Sequence, residues 1–247
     1  MDILDELREK CPWDRKQTNE SLRPNTIEET YELCDALIRD DKNDICKELG
    51  DVLLHVVFYA KIGSEKGDFD MKDVCDHLCE KLIFRHPHVF GDVTVSGSGE
   101  VLQNWEELKK REKHQTTAAD SVDSVARSLP GLWRAEKIQK KAAKVGFDWP
   151  DVSGALEKLR EEAGELEEAV REDTNVAEEL GDLLFAAVNV ARFVKVDPED
   201  ALSVACDKFA RRFRQVEASA AAQGKTLDEM TLAEMDRLWD EAKKQEA

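Results

Sequence analysis

The residues best able to do chemistry are two sets of carboxylates written with the same spacing. Glu29 and Glu32 precede Glu48 and Asp51, and Glu162 and Glu165 precede Glu179 and Asp182. Helical positions three apart share a face about one turn apart, so each pair presents two carboxylates together. If the two helices of a set pack antiparallel, four carboxylates converge, and four such anions stay ionised only with a cation between them. Ligation by oxygen alone, without histidine or thiolate, selects a hard ion, Mg2+ or Mn2+. An ion held there would bridge phosphate oxygens, neutralise their charge and lower the pKa of a bound water.

Each aspartate closes the tetrapeptide Glu-Leu-Gly-Asp, at Glu48 to Asp51 and Glu179 to Asp182. A glycine in an exposed helix interior costs about 1 kcal/mol relative to alanine. Its repetition predicts that a neighbouring helix or a ligand comes close beside Asp51 and Asp182. Glu161 and Glu28, one residue out of phase with Glu162 and Glu29, are the leading acids, and Glu161 is placed to orient or deprotonate an attacking water. Lys158, Lys208, Arg211 and Arg212 supply cations suited to a triphosphate. Acidic helix patterns arise by chance in a chain with 54 acids. These differ because Glu-Leu-Gly-Asp lies in the most apolar helix of each set, where unpaired carboxylates are costly.

The elements that must position these acids come as a repeat. Glu29 and Glu162 are 133 positions apart, Asp51 and Asp182 131, Lys81 and Lys208 127, and Trp105 and Trp239 134. "CPWD" stands where "FDWP" stands in the second half. Blocks kept in order at nearly constant offset make a duplicated domain, with repeats over 1–112 and 125–247 and a linker over 113–124, where apolar periodicity lapses. Apolar residues at Ile27, Tyr31, Cys34, Leu37 and Ile38, and at Leu156, Leu159, Ala163, Leu166 and Ala169, carry helical spacing. "LLHVVFYAKI" and "LLFAAVNVARFV" read as almost wholly apolar, deeply buried helices. Residues 91–100 read as an exposed loop, and "DVTVSG" within it is the only strand candidate. The fold class is all-α, with tandem bundles of antiparallel helices.

Composition narrows the partners. A net charge of −18 argues against a polynucleotide backbone or an anionic membrane, which need clustered cations. It leaves room for a small anion arriving with divalent metal. The six cysteines form no C-x-x-C pair, and the charged N-terminus is no signal peptide, so a reducing cytoplasm is expected. His86 and His88 flank a proline and fit no usual zinc spacing. His55, four residues after Asp51, does not complete the E-x-x-H of a di-iron bundle.

E-E-x-x-E followed by E-x-x-D resembles the motif of the all-α nucleoside triphosphate pyrophosphohydrolases. The tandem arrangement, with "CPWD", "FRHPHVF", "KIQKKAAKVGFDW" and "ELGDLLFAAVN", is similar to the MazG family over essentially the whole chain. The resemblance implies Mg2+-dependent hydrolysis of a (deoxy)nucleoside triphosphate between its α- and β-phosphates. It implies metal ligation by Glu162, Glu165, Glu179 and Asp182, with Glu29, Glu32, Glu48 and Asp51 matching them in the first repeat. It further implies substrate contacts from Lys158, Glu162, Glu165, Asn175, Glu178, Lys208, Arg211, Arg212 and Trp239. Some members carry lysine at the position of Asn175. Trp239 can stack on a base or seal helix packing, and both readings stay open.

The first repeat keeps its acids and has Lys81 and Arg85, but Phe84-Arg85 replaces Arg211-Arg212, and "LRPN" replaces "LEKLR". In the family the second domain is the principal site, and that order is expected here. Two other readings remain at this stage: a helical scaffold whose acids only solubilise it, and a relative specific for dUTP or phosphoribosyl-ATP. The long apolar stretches exceed what a small bundle buries, which predicts a homodimer.

Overall fold

The structure is a computed structural model that describes residues 2–112 and 116–245. It divides into two compact units, Met1–Glu112 and Lys113–Ala247. Every regular element among the described residues is helical, and the strand candidate within 91–100 is irregular chain leading into a helix.

In the first unit, α1 (Asp2–Lys10) and a 3-10 turn lead to α2 (Asn19–Arg39), α3 (Lys42–Lys66), α4 (Met71–Arg85), α5 (Pro87–Phe90) and α6 (Ser98–Glu112). Helix α2 begins ahead of its periodic stretch and runs through Pro24, started by the reciprocal cap of Thr18 and Ser21. It ends at Asp40, which takes the left-handed conformation (φ 52°) and gives its N–H to Ala36 and Leu37. Asp41 then caps α3 by accepting from the N–H groups of Asn43 and Asp44. The turn is therefore tight, and α2 and α3 form an antiparallel pair. Leu4, Leu22, Phe58 and Ile62 make the core beneath it, each contributing about 2 kcal/mol by leaving water. His55 is buried and shares the Thr26 hydroxyl (3.1 Å) with Tyr59 (2.6 Å), so it ties α3 to α2.

The second unit holds α7 (Ala118–Asp123), α8 (Gly131–Ala143), α9 (Val152–Glu172), α10 (Val176–Phe193), α11 (Pro198–Ala222), a 3-10 turn and α12 (Leu232–Gln245). Its hairpin of α9 and α10 also turns on a left-handed aspartate, Asp173 (φ 55°), whose N–H returns to Ala169. Asp40 and Asp173 are 133 positions apart, the same offset as Glu29 and Glu162. The segment expected as a linker contains α7, capped by Thr117 and held to α8 by Lys141 on Ser121 (3.0 Å) and Ser124 (3.3 Å). Residues 113–115 lie outside the described residues.

The burial expected for the apolar helices is overturned. Phe58, Ala60 and Ile62 of α3 and Ala186 and Val188 of α10 are buried, but Leu53, Leu54, Leu184 and Phe185 are exposed. Ile27, Tyr31, Leu37 and Ile38 of α2 are exposed too. The physical reason is simple: each helix has too few neighbours within its unit to cover more than one face. Among the described residues no helix is long and apolar enough to cross a membrane.

Candidate metal and phosphate site

The left-handed turns set the height of the acids. Glu29 lies 11 residues before Asp40 and Asp51 11 after; Glu162 lies 11 before Asp173 and Asp182 nine after. At 1.5 Å per residue along antiparallel helices, such positions come level. Glu162, Glu179 and Asp182 accordingly bring carboxylate oxygens within 4.8 Å of one another, and Glu29, Glu48 and Asp51 do the same. Both groups combine one buried carboxylate, Glu162 or Glu48, with two more open to solvent.

Three carboxylates converge in each set where the spacing suggests four. Glu32 and Glu165 stand one turn along, exposed and outside each close group. They remain within electrostatic reach. Burial, together with Asp51, Glu32 and Glu48, pushes the Glu29 carboxyl above its ordinary value. Loss of solvation and the nearby Glu162 do the same to Glu165. One oxygen of Glu48 is buried without a hydrogen-bond partner. An orphaned carboxylate oxygen amid crowded acids fits a hard divalent cation, which would satisfy it and relieve the repulsion.

The lysines around the two clusters are placed differently. Lys158, one turn before Glu162 on α9, reaches Glu162 (2.7 Å) and Glu161 (2.7 Å), and these two bonds raise its pKa. In the first cluster Lys47 bonds Glu48 (2.7 Å) and lies 3.9 Å from Asp51. Sequence spacing alone singled out Lys158 but not Lys47; the aligned "KELGD" and "EELGD" held the signal, since Lys47 stands where Glu178 stands. Asn175, at the start of α10, donates to Glu179 (2.7 Å) and so adjoins the second cluster. Glu178 is exposed in the first turn of the same helix. Glu161 and Glu28 are exposed, and neither joins a close group.

Among the described residues nothing explains the repeated glycine. A Cβ at Gly50 or Gly181 would meet nothing within 4 Å, so no helix of its own unit needs the space. Gly181 instead opens onto a recess with Leu184, Phe185 and Leu202 on its walls.

Helix α11, which packs on α8 and α10, carries Lys208, Arg211 and Arg212. Arg212 lies over the Trp239 ring at 5.9 Å, and Phe209 meets the same ring at 5.0 Å. In the first unit Arg85 lies over Trp105 at 5.1 Å and pairs with Glu112. Trp239 is half-buried against Val216, Ala220 and Leu238, so packing accounts for part of its position.

A second recess, of about 350 Å³, lies in the same unit and escaped the sequence reading. Phe147, Trp149 and Phe185 line it, with Gln139, Asn189 and an ion pair between Arg192 and Asp148. Gln139 donates to the Phe185 carbonyl (2.8 Å). Phe185 and Asn189 follow Asp182 by three and seven residues, which puts all three near one face of α10.

The chain matches the family model described as MazG nucleotide pyrophosphohydrolase domain twice, over residues 17–90 and 152–217, which embraces both acid clusters. A nucleoside triphosphate pyrophosphohydrolase of Escherichia coli (strain K12) is 45% identical, the match covering 99% of this chain and 95% of that one. A Thermotoga maritima protein, nucleoside triphosphate pyrophosphohydrolase/pyrophosphatase MazG, is 46% identical over 98% and 93% respectively. The Bacillus subtilis protein YabN, uncharacterised by name, is 50% identical over 99% of this chain but only 51% of its own length. Duplicated hairpins, matched acid clusters and near full-length identity lead to one conclusion: the chain belongs to the MazG nucleotide pyrophosphohydrolase family.

Proposed function

We propose that the protein hydrolyses nucleoside triphosphates to the monophosphate and pyrophosphate, with Mg2+ as cofactor and Mn2+ able to replace it. The observation that carries this is the convergence of Glu162, Glu179 and Asp182 beside Lys158. Glu162, Glu179 and Asp182, with Glu165 one turn away, would hold the divalent ion, which would supply charge neutralisation and water activation. The protein's own groups do the rest. Lys158 exchanges its carboxylate partners for a phosphate oxygen. Glu161, released by that exchange, orients water and takes its proton as the bond linking α- to β-phosphate breaks. Lys208, Arg211 and Arg212 offset the charge on the departing pyrophosphate. Asn175 and Glu178 border the triphosphate at the start of α10, and Trp239 stacks on the base.

The second repeat is the principal site, with Glu28, Glu29, Glu32, Glu48 and Asp51 of the first chiefly structural. The exposed apolar residues of α2, α3 and α10 support a homodimer, and its place is the cytoplasmic nucleotide pool. The two repeats and a junction within 113–124 are the proposed domain plan.

The direct test is a panel of ribo- and deoxynucleoside triphosphates with Mg2+, resolved by product. Monophosphate with pyrophosphate is expected. Diphosphate with orthophosphate would show cleavage at the wrong bond, and absence of turnover across the panel would favour a scaffold.

A further inference from the structure

We propose that Lys47 is a tethered cation that competes with a divalent ion for Glu29, Glu48 and Asp51, so that the two repeats bind metal with unequal affinity. This rests on the metal reading above and extends it to a residue outside the acidic motif.

Lys47 Nζ lies 2.7 Å from Glu48 and 3.9 Å from Asp51, two of the three carboxylates that converge in the first repeat. Glu48 has a side chain only 7% exposed, and its other oxygen is buried with no hydrogen-bond partner. The lysine thus satisfies one oxygen of that carboxylate and leaves the other for a cation it holds off. In the second repeat Lys158 touches a single member of the close group, Glu162, and divides itself with the outlying Glu161. The position matching Lys47 is there acidic, Glu178. The two sites therefore differ by two units of charge at one position beside otherwise matched ligands.

An exposed ion pair between sequence neighbours is usually inconsequential. This one is not equivalent, because its anion is a buried ligand. The lysine side chain itself is 66% exposed, free to swing into water when displaced. Entry of a metal must remove a charge already in place, which weakens binding without abolishing it.

The test counts Mn2+ binding by the electron paramagnetic resonance of the free ion, using the full-length protein. In a Glu179→Gln/Asp182→Asn background, which isolates the first cluster, Lys47→Ala is expected to tighten Mn2+ binding about tenfold, or ~1.4 kcal/mol. Lys47→Arg, which keeps the charge, should give no gain. Adding Asp51→Asn to Lys47→Ala should abolish the gain. Unchanged or weaker binding in Lys47→Ala, or equal gains from Ala and Arg, overturns the proposal. The unsubstituted chain separates the two ideas: saturable Mn2+ binding there, with no effect of Lys47, defeats this proposal alone. No Mn2+ binding to the unsubstituted chain would defeat the metal reading as well.

Discussion

Lys158 Nζ lies 2.7 Å from Glu162, the one buried carboxylate of the second cluster. A single ammonium therefore holds the proposed metal ligand Glu162 in place. Lys158→Met removes it and leaves Glu162 with a charge unpaired, which costs about 1–3 kcal/mol in the metal-free state. The melting temperature without metal should fall by a few degrees, and Mg2+ should restore more of it than in the parent protein. Differential scanning fluorimetry with and without Mg2+ checks this. An unchanged metal-free transition would mean that the pair carries no stability.

Gly181→Ala discriminates a dimer from a monomer. An added methyl meets nothing within 4 Å in the chain, so a monomer would gain about 1 kcal/mol of helix propensity. If a partner's apolar face covers α10, the same methyl crowds it. The expected outcome is a weaker dimer at micromolar concentration by sedimentation or light scattering. A stabilised monomer would remove the homodimer from the account.

Glu29 and Glu165 have carboxyl pKa values raised by loss of solvation and by neighbouring acids. For a raised carboxyl the sign runs against the charged form. Metal-free stability is lower above the folded pKa and recovers as pH falls through it. A divalent ion reverses this by favouring ionisation. The Mg2+-induced rise in melting temperature should therefore shrink between about pH 7 and about pH 5. Calorimetry in two buffers should show proton release when metal binds. A pH-independent increment with no proton release would contradict the crowding of these carboxylates.

Trp239, with Arg212 at 5.9 Å, and Trp149, in the recess one turn beyond Asp182, offer two seats for a base. Stacking on an aromatic ring is worth about 1–3 kcal/mol. Trp239→Ala should raise KM roughly tenfold or more with a smaller effect on kcat, and Trp149→Ala should leave KM nearly unchanged. The reverse ordering would move the base to the recess.

Much of this was readable in the residues themselves. The i, i+3 acids and their constant offset between halves predicted paired helices and a shared site, because helical periodicity and duplication act locally. The place of Lys158, one turn before Glu162, follows from the same spacing. Glu32 and Glu165 carry the same spacing as the other acids, and only the packed hairpin determines which three carboxylates of each set come within 4.8 Å of one another. Leu53, Leu54, Leu184 and Phe185 were expected inside, since apolar character tells that a face seeks cover but not whether the chain supplies it. The left-handed turns at Asp40 and Asp173 and the reach of Lys47 depend on conformation that no periodicity encodes.

The central claim is that the second cluster performs the hydrolysis, and paired substitutions test it most directly. Asp182→Asn keeps shape while removing one charge from that cluster; Asp51→Asn does the same in the first. The measurement is kcat for pyrophosphate release with Mg2+ in excess, on variants shown to be folded. Asp182→Asn should lower it on the order of a hundredfold or more, and Asp51→Asn should change it only a few-fold. Loss of activity from Asp51→Asn with Asp182→Asn near normal would contradict the account.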